Sequence, residues 1–137
     1  GTLAVPCGTV SLLGTDDAHI HRDRLGAPAS SWGQAGVLHL GVTHAPYTRV
    51  VSALASAGSD LILAGHTHGG QIGIPGGGAI ITNCDIARRY AKGLNRWEAP
   101  DGSQSWLHVS AGLGTSPYAK IRIATRPEAS IIHVHPA

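Results

Sequence analysis

The stretch VLHLGVTHAPYTRVVSALASAGSDLILA, residues 37–64, decides the fold. Its first eight residues are apolar and β-branched, which suits a buried strand over 37–44. Residues 45–58 then change period. Pro46 fits a first helical turn, Val50, Val51, Leu54 and Ala57 share one face at 3.6 periodicity, and Gly58 is a natural stop. DLILA, residues 60–64, is again a short buried strand. Strand–helix–strand is the βαβ unit of an α/β protein. A right-handed crossover makes the two strands parallel, so both end at one edge of the sheet. Ligands bind at that edge in open α/β sheets.

The edge is rich in imidazole. His44 closes the first strand. GHTHGGQI, residues 65–72, follows the second and brings His66 and His68. A single histidine at a strand end is ordinarily a capped, hydrogen-bonded residue. Three at converging strand ends point to a metal, because neutral imidazole is a good ligand for zinc, iron, nickel and copper and an acceptable one for manganese. Thr67 separates His66 from His68, so the pair can serve one ion or two. Gly65, Gly69 and Gly70 are expected to turn the backbone sharply and to leave room for an ion and a bulky anion. His39, inside a strand, reads as a satisfied core residue. His108, His133 and His135 read as structural or surface residues.

Outward from this centre, residues 9–15 (TVSLLGT) read as a strand and residues 21–36 as an irregular region with a short helix. Residues 71–82 suit a glycine-turned hairpin, and 88–94 a basic loop. Residues 105–116 suit a strand and a turn, and 120–125 with 129–135 a closing antiparallel pair. DDAHIH, residues 16–21, contains an HxH after a strand, as amidohydrolase barrels do. That barrel needs about 250 residues and eight βα units, against 137 residues here. Asp16 and Asp17 read as turn and cap residues.

Composition narrows the function classes. The chain is 42% hydrophobic and only 13% charged, which favours a packed domain over a disordered one. Its 19 glycines are roughly twice the usual share of about 7%. A formal net charge of +2 with scattered Lys and Arg gives no nucleic-acid footprint. No apolar run reaches the ~18 residues of a transmembrane helix. Cys7 and Cys84 form no CxxC and read as two reduced, buried thiols, which leaves the compartment open. Gly1 opens directly onto strand-like sequence, so the natural chain is expected to begin earlier.

GVTHAPY followed about twenty residues later by LILAGHTHGGQI closely resembles the calcineurin-like metallophosphoesterases. LLGTDDAHIHRDRL and WLHVSAGLGTSPYAKIRIATRPEASIIHV extend the likeness over most of the chain, toward the YkuE-type bacterial branch and its actinobacterial members. The resemblance implies an α/β fold in which residues 1–137 form the C-terminal half of a β-sandwich flanked by helices (αββα, mixed sheet). It implies hydrolysis of a phosphomonoester or phosphodiester with two divalent ions (Mn, Fe or Zn). His44 and His66 would share one metal, and His68 would bind the other. The family also uses an N-terminal DxH, a GD and a GNH(D/E); no GD or GNH occurs here, and Asp16 and Asp17 match the family's downstream DD segment instead of the N-terminal motif. The chain therefore resembles the C-terminal half of a longer enzyme, holding at most one ion weakly, with no catalytic residue of its own assigned. Its expected partners are the phosphate ester, the missing N-terminal half, and further copies of itself through exposed sheet. The alternatives are a non-catalytic half-domain that binds metal weakly and an amidohydrolase-like metal hydrolase.

Overall fold

The computed structural model describes residues 1–6, 8–20, 22–26, 32–76, 78–116 and 120–135. Cys7, His21, residues 27–31 of the segment expected to hold a short helix and part of the GLGTSPYAK stretch lie outside the described residues.

The chain folds as mixed α/β around a six-stranded sheet. Its strands are β1 (Thr2–Val5), β2 (Gly8–Gly14), β3 (Val37–Val42), β4 (Leu61–Ala64), β7 (Gly93–Glu98) and β8 (Gln104–Val109). Their order across the sheet is β1-β2-β3-β4-β8-β7. The four central strands, β2, β3, β4 and β8, run parallel, and β1 and β7 flank them antiparallel. A small antiparallel ribbon, β5 (Gly73–Ile74) with β6 (Gly78–Ala79), stands apart. The sheet is open, with β1 and β7 as its edges. It is not the closed barrel that an amidohydrolase requires.

The βαβ reading matches the structure closely. Helix α1 (Thr48–Ser56) joins parallel β3 and β4. It begins after Pro46 because Tyr47 is the N-cap, still extended at ψ 136. Tyr47 supplies no side-chain cap; the Asp85 carboxylate reaches in from another loop and accepts from the Thr48 N–H at 2.7 Å. Gly58, at φ +90, ends the helix, and its N–H bonds back to the Ala55 carbonyl at 2.8 Å.

The core lies between α1 and one face of the sheet. Val50, Val51 and Leu54 pack on Leu13, Ile62, Leu107 and Val109. Side chains alternate along a strand, so Leu3, Leu12, Leu40, Val42, Leu63 and Trp106 fall on the opposite face. Among the described residues α1 is the only α-helix, and it covers the first face. The second face is apolar and open: Leu3, Val42 and Trp106 are 55%, 39% and 41% exposed.

Four sequence expectations are corrected. Residues 120–125 and 129–135 do not form an antiparallel pair; among the described residues this segment contributes one isolated parallel bridge, Ile72 to Ile123. Its alternating pattern meets no strand partner, and Ile121 and Ile131 stay 66% and 85% exposed. Basic residues 88–94 are not simply a loop, since β7 starts at Gly93 and pairs with β8. The 71–82 hairpin survives only as the two-residue strands β5 and β6. Cys84 is free, but half-buried rather than buried. His39 is satisfied as expected: its ring lies 3.0 Å from Asp60 and accepts from the Gly33 N–H at 2.8 Å.

Candidate metal centre

Adjacent parallel strands carry His44 and His66 to one edge. The ladder continues past the strand ends, with Thr43 N–H on the Leu63 carbonyl and Gly65 N–H on the His44 carbonyl, both at 3.0 Å. These bonds fix the two backbones relative to each other. The side chains converge: His44 Nε2 is 3.1 Å from His66 Nδ1, and the rings meet edge to face at 5.0 Å. The other nitrogen of His66, Nε2, lies 3.4 Å from the Asn83 carbonyl, to which it donates. That bond leaves the Nδ1 lone pair aimed at His44. An imidazole whose second nitrogen is held by a backbone carbonyl is the usual state of a metal ligand.

The backbone here is strained. His66 and His68 sit in the left-handed region at φ 65 and φ 50, a conformation costing a non-glycine residue about 1–2 kcal/mol. Neither position holds the glycine or asparagine that would relieve it. Burial pulls the His66 imidazole below the usual histidine range, and the charges of His44 and His19 add to this against the Asn83 bond. Burial lowers His68 too, with the Arg122 charge beside it. Both rings are therefore neutral near pH 7, the form that binds metal.

His68 takes no part in the close pair. Its carbonyl lies 3.4 Å from the Arg122 guanidinium. The Arg122 guanidinium also donates to the carbonyls of Ala111, Gly112 and Gly114. It thus pins the loop after β8 against the GHTH turn. Between the two histidines, the buried Thr67 hydroxyl donates to the Ala91 carbonyl at 2.7 Å and so fixes the turn.

The glycines of the motif do something other than clear the cleft. Gly69 and Gly70 have φ of 67 and 85, so they do turn the chain. A Cβ on Gly69 would meet Thr125 Cγ2 at 2.6 Å, and one on Gly70 would meet the Ala79 Cβ at 2.2 Å. The space they leave is filled by the protein itself. Gly70→Ala combines left-handed strain with an overlap against backbone that cannot swing aside. It is expected to destabilise the fold by about 3 kcal/mol or more, read as a lower urea midpoint at unchanged slope. An unaltered midpoint would mean that the turn relaxes freely.

One further histidine joins the site. His19 lies in a 3₁₀ turn, Ala18–Ile20, just after β2, and β2 is the parallel neighbour of β3. Its ring centroid is 4.9 Å from that of His66, and its Nδ1 is 2.9 Å from the Tyr47 hydroxyl. Asp16 and Asp17 are turn residues as expected, Asp17 accepting from the His19 N–H at 2.8 Å. The signal for His19 was present in the sequence. DDAHIH follows its strand as THAP and GHTH follow theirs.

Two nitrogens each about 2.1 Å from one ion, at right-angle to tetrahedral spacing, lie roughly 3.0–3.4 Å apart. The His44–His66 pair fits that spacing. Among the described residues no set of three His, Cys, Asp or Glu is arranged to hold an ion, so a full dinuclear centre does not fit these residues alone. No helix among them is long and apolar enough to cross a membrane. Comparison with known proteins returns no match: no family model, no curated protein and no solved structure matches the chain.

Proposed function

We propose that this chain supplies the C-terminal part of the metal site of a dinuclear phosphoric ester hydrolase acting on a phosphomonoester or phosphodiester. The observation that supports this reading is the His44–His66 pair, 3.1 Å apart on neighbouring parallel strand ends. The resemblance of THAP and GHTH to the metallophosphoesterases gives the pair its chemistry. Two ions about 3.5–4 Å apart would lower the pKa of a bridging water and clamp the phosphate. In that enzyme His44 and His66 would hold one such ion, and His68 would bind the second. In this reading the six-stranded sheet is one layer of an αββα sandwich, and its open apolar face meets the layer supplied by an N-terminal half.

The absence of a third donor among the described residues favours a second reading, a half-domain that binds one ion weakly and catalyses nothing. Both readings require His44 and His66 to bind a metal. Titrating residues 1–137 with cobalt(II), followed by its absorption bands, tests this. Losing even an outer partner of a metal ligand costs about 10–100-fold in affinity, so His44→Ala and His66→Ala are expected to lose at least that. His133→Ala, at an exposed position, is expected to leave binding unchanged. Equal affinity in all three variants would remove the metal reading.

A further inference from the structure

His19 and Tyr47 lie outside the metal pair, Tyr47 packing against the edge of the core, and they stand beside the site in a fixed geometry. The His19 backbone is held by Asp17 at 2.8 Å. Its ring is held by the Tyr47 hydroxyl at 2.9 Å and lies against His66. Tyr47 is itself fixed as the N-cap of α1. An exposed histidine held at both backbone and ring loses the freedom that an ordinary surface side chain keeps.

The orientation determines the ring's chemistry. Burial, with Cys84, Asp85 and Asp17 around it, pushes the Tyr47 phenol up, so the hydroxyl keeps its proton. A phenol proton is donated to an imidazole nitrogen in preference to the reverse, because the nitrogen is the better acceptor. Nδ1 is thus engaged by the Tyr47 hydroxyl, and Nε2 is the ring nitrogen left for a ligand. The side chain that carries it is exposed.

We infer that His19, oriented by Tyr47, is a binding residue that donates from Nε2 to a non-bridging phosphoryl oxygen of a substrate held at the His44–His66 edge. This rests on the phosphoester reading above. The ligand class is a phosphate ester, recognised through an oxygen of its phosphoryl group. The carboxylates of Asp17 and Asp85 lie close enough to act on Tyr47, and they disfavour an anion arriving without a cation. Phosphate is therefore expected to bind after the metal. Tyr47 acts through His19 and is a positioning residue.

The test uses residues 1–137 labelled in the histidine rings, zinc added first and inorganic phosphate second, with the tautomers read by nitrogen NMR. His19 is expected to show the Nε2–H tautomer, and phosphate is expected to move its ring signals. His19→Ala should weaken phosphate binding about tenfold, the low end for a hydrogen bond to a charged group. His19→Gln, which keeps an N–H donor, should recover part of this. Tyr47→Phe should leave zinc binding intact while mixing the His19 tautomers and weakening phosphate. An Nδ1–H tautomer, or equal phosphate affinity in His19→Ala, overturns the assignment. Failure of the metal reading appears separately, as zinc that moves neither His44 nor His66.

Discussion

Residues 1–137 alone are expected to show no turnover of a nitrophenyl phosphate ester, even with excess manganese or zinc. The His44–His66 pair offers one ion two nitrogens, and no third donor is assembled among the described residues. A single loosely held ion with no bridging carboxylate cannot clamp a phosphate on both the attacking and the leaving side. Losing one positioned acid typically costs 10²–10⁴-fold, and the second ion is lost in addition. Joining a segment that carries DxH and GNH upstream is expected to raise the rate by at least about 10³-fold over the chain alone. His44→Ala or His66→Ala should then return it to the metal-only blank. Steady-state release of nitrophenol measures all four cases. Metal-dependent turnover by these 137 residues, lost in His66→Ala, would show that the site is complete without any added segment.

The second large effect concerns association. Leu3, Val42, Leu94 and Trp106 are 55%, 39%, 53% and 41% exposed on the sheet face that α1 leaves bare. The half-buried Leu12, Leu40 and Leu63 lie between them on that face. Contiguous apolar patches beyond a few hundred Å² are rare on monomers. Burying such surface is worth about 25 cal/mol per Å² before the costs of association. Sedimentation velocity is expected to show a weight-average mass that at least doubles with concentration, the signature of a pair or larger assembly burying about 1,200–2,000 Å². Trp106→Asp with Leu94→Asp should return the chain to a monomer without changing its fold, because neither side chain packs in the core under α1. A monomer at high concentration would show that the open face is tolerated in water.

These expectations rest on a division visible in particular residues. The 37–64 segment was legible because each signal in it is local. Val50, Val51 and Leu54 keep helical spacing, Gly58 supplies the left-handed stop, and the flanking apolar runs admit few alternatives to buried strands. From that unit, the placement of His44 and His66 at one sheet edge follows by chain geometry. Strand β7 was not legible. GLNRWE has one large aliphatic residue and two charges, and it is a strand because β8 offers a ladder of hydrogen bonds along its length. The 120–135 segment failed in the opposite sense. KIRIAT and ASIIHVH alternate as strands do, but among the described residues they gain only the Ile72–Ile123 bridge, and Arg122 ties the segment to loop carbonyls. The Asp85 cap on α1 was also out of reach, since it joins residues far apart in the chain.

By itself, then, the sequence determined the βαβ unit, the sheet edge at which the histidines gather and the identity of the imidazoles, because periodicity and turn chemistry act over a few residues. Tertiary structure alone decided which histidines meet. His66 is turned into the left-handed region and reaches His44, His68 stays out of the pair, and His19 is brought in from a third strand and fixed by Tyr47. It also decided what the glycines are for: the space beside Gly69 and Gly70 is occupied by Thr125 and Ala79, not by a ligand. Most of these contacts join residues twenty or more positions apart, and their distances are set by how strands and loops stack, which no local pattern of residue types encodes.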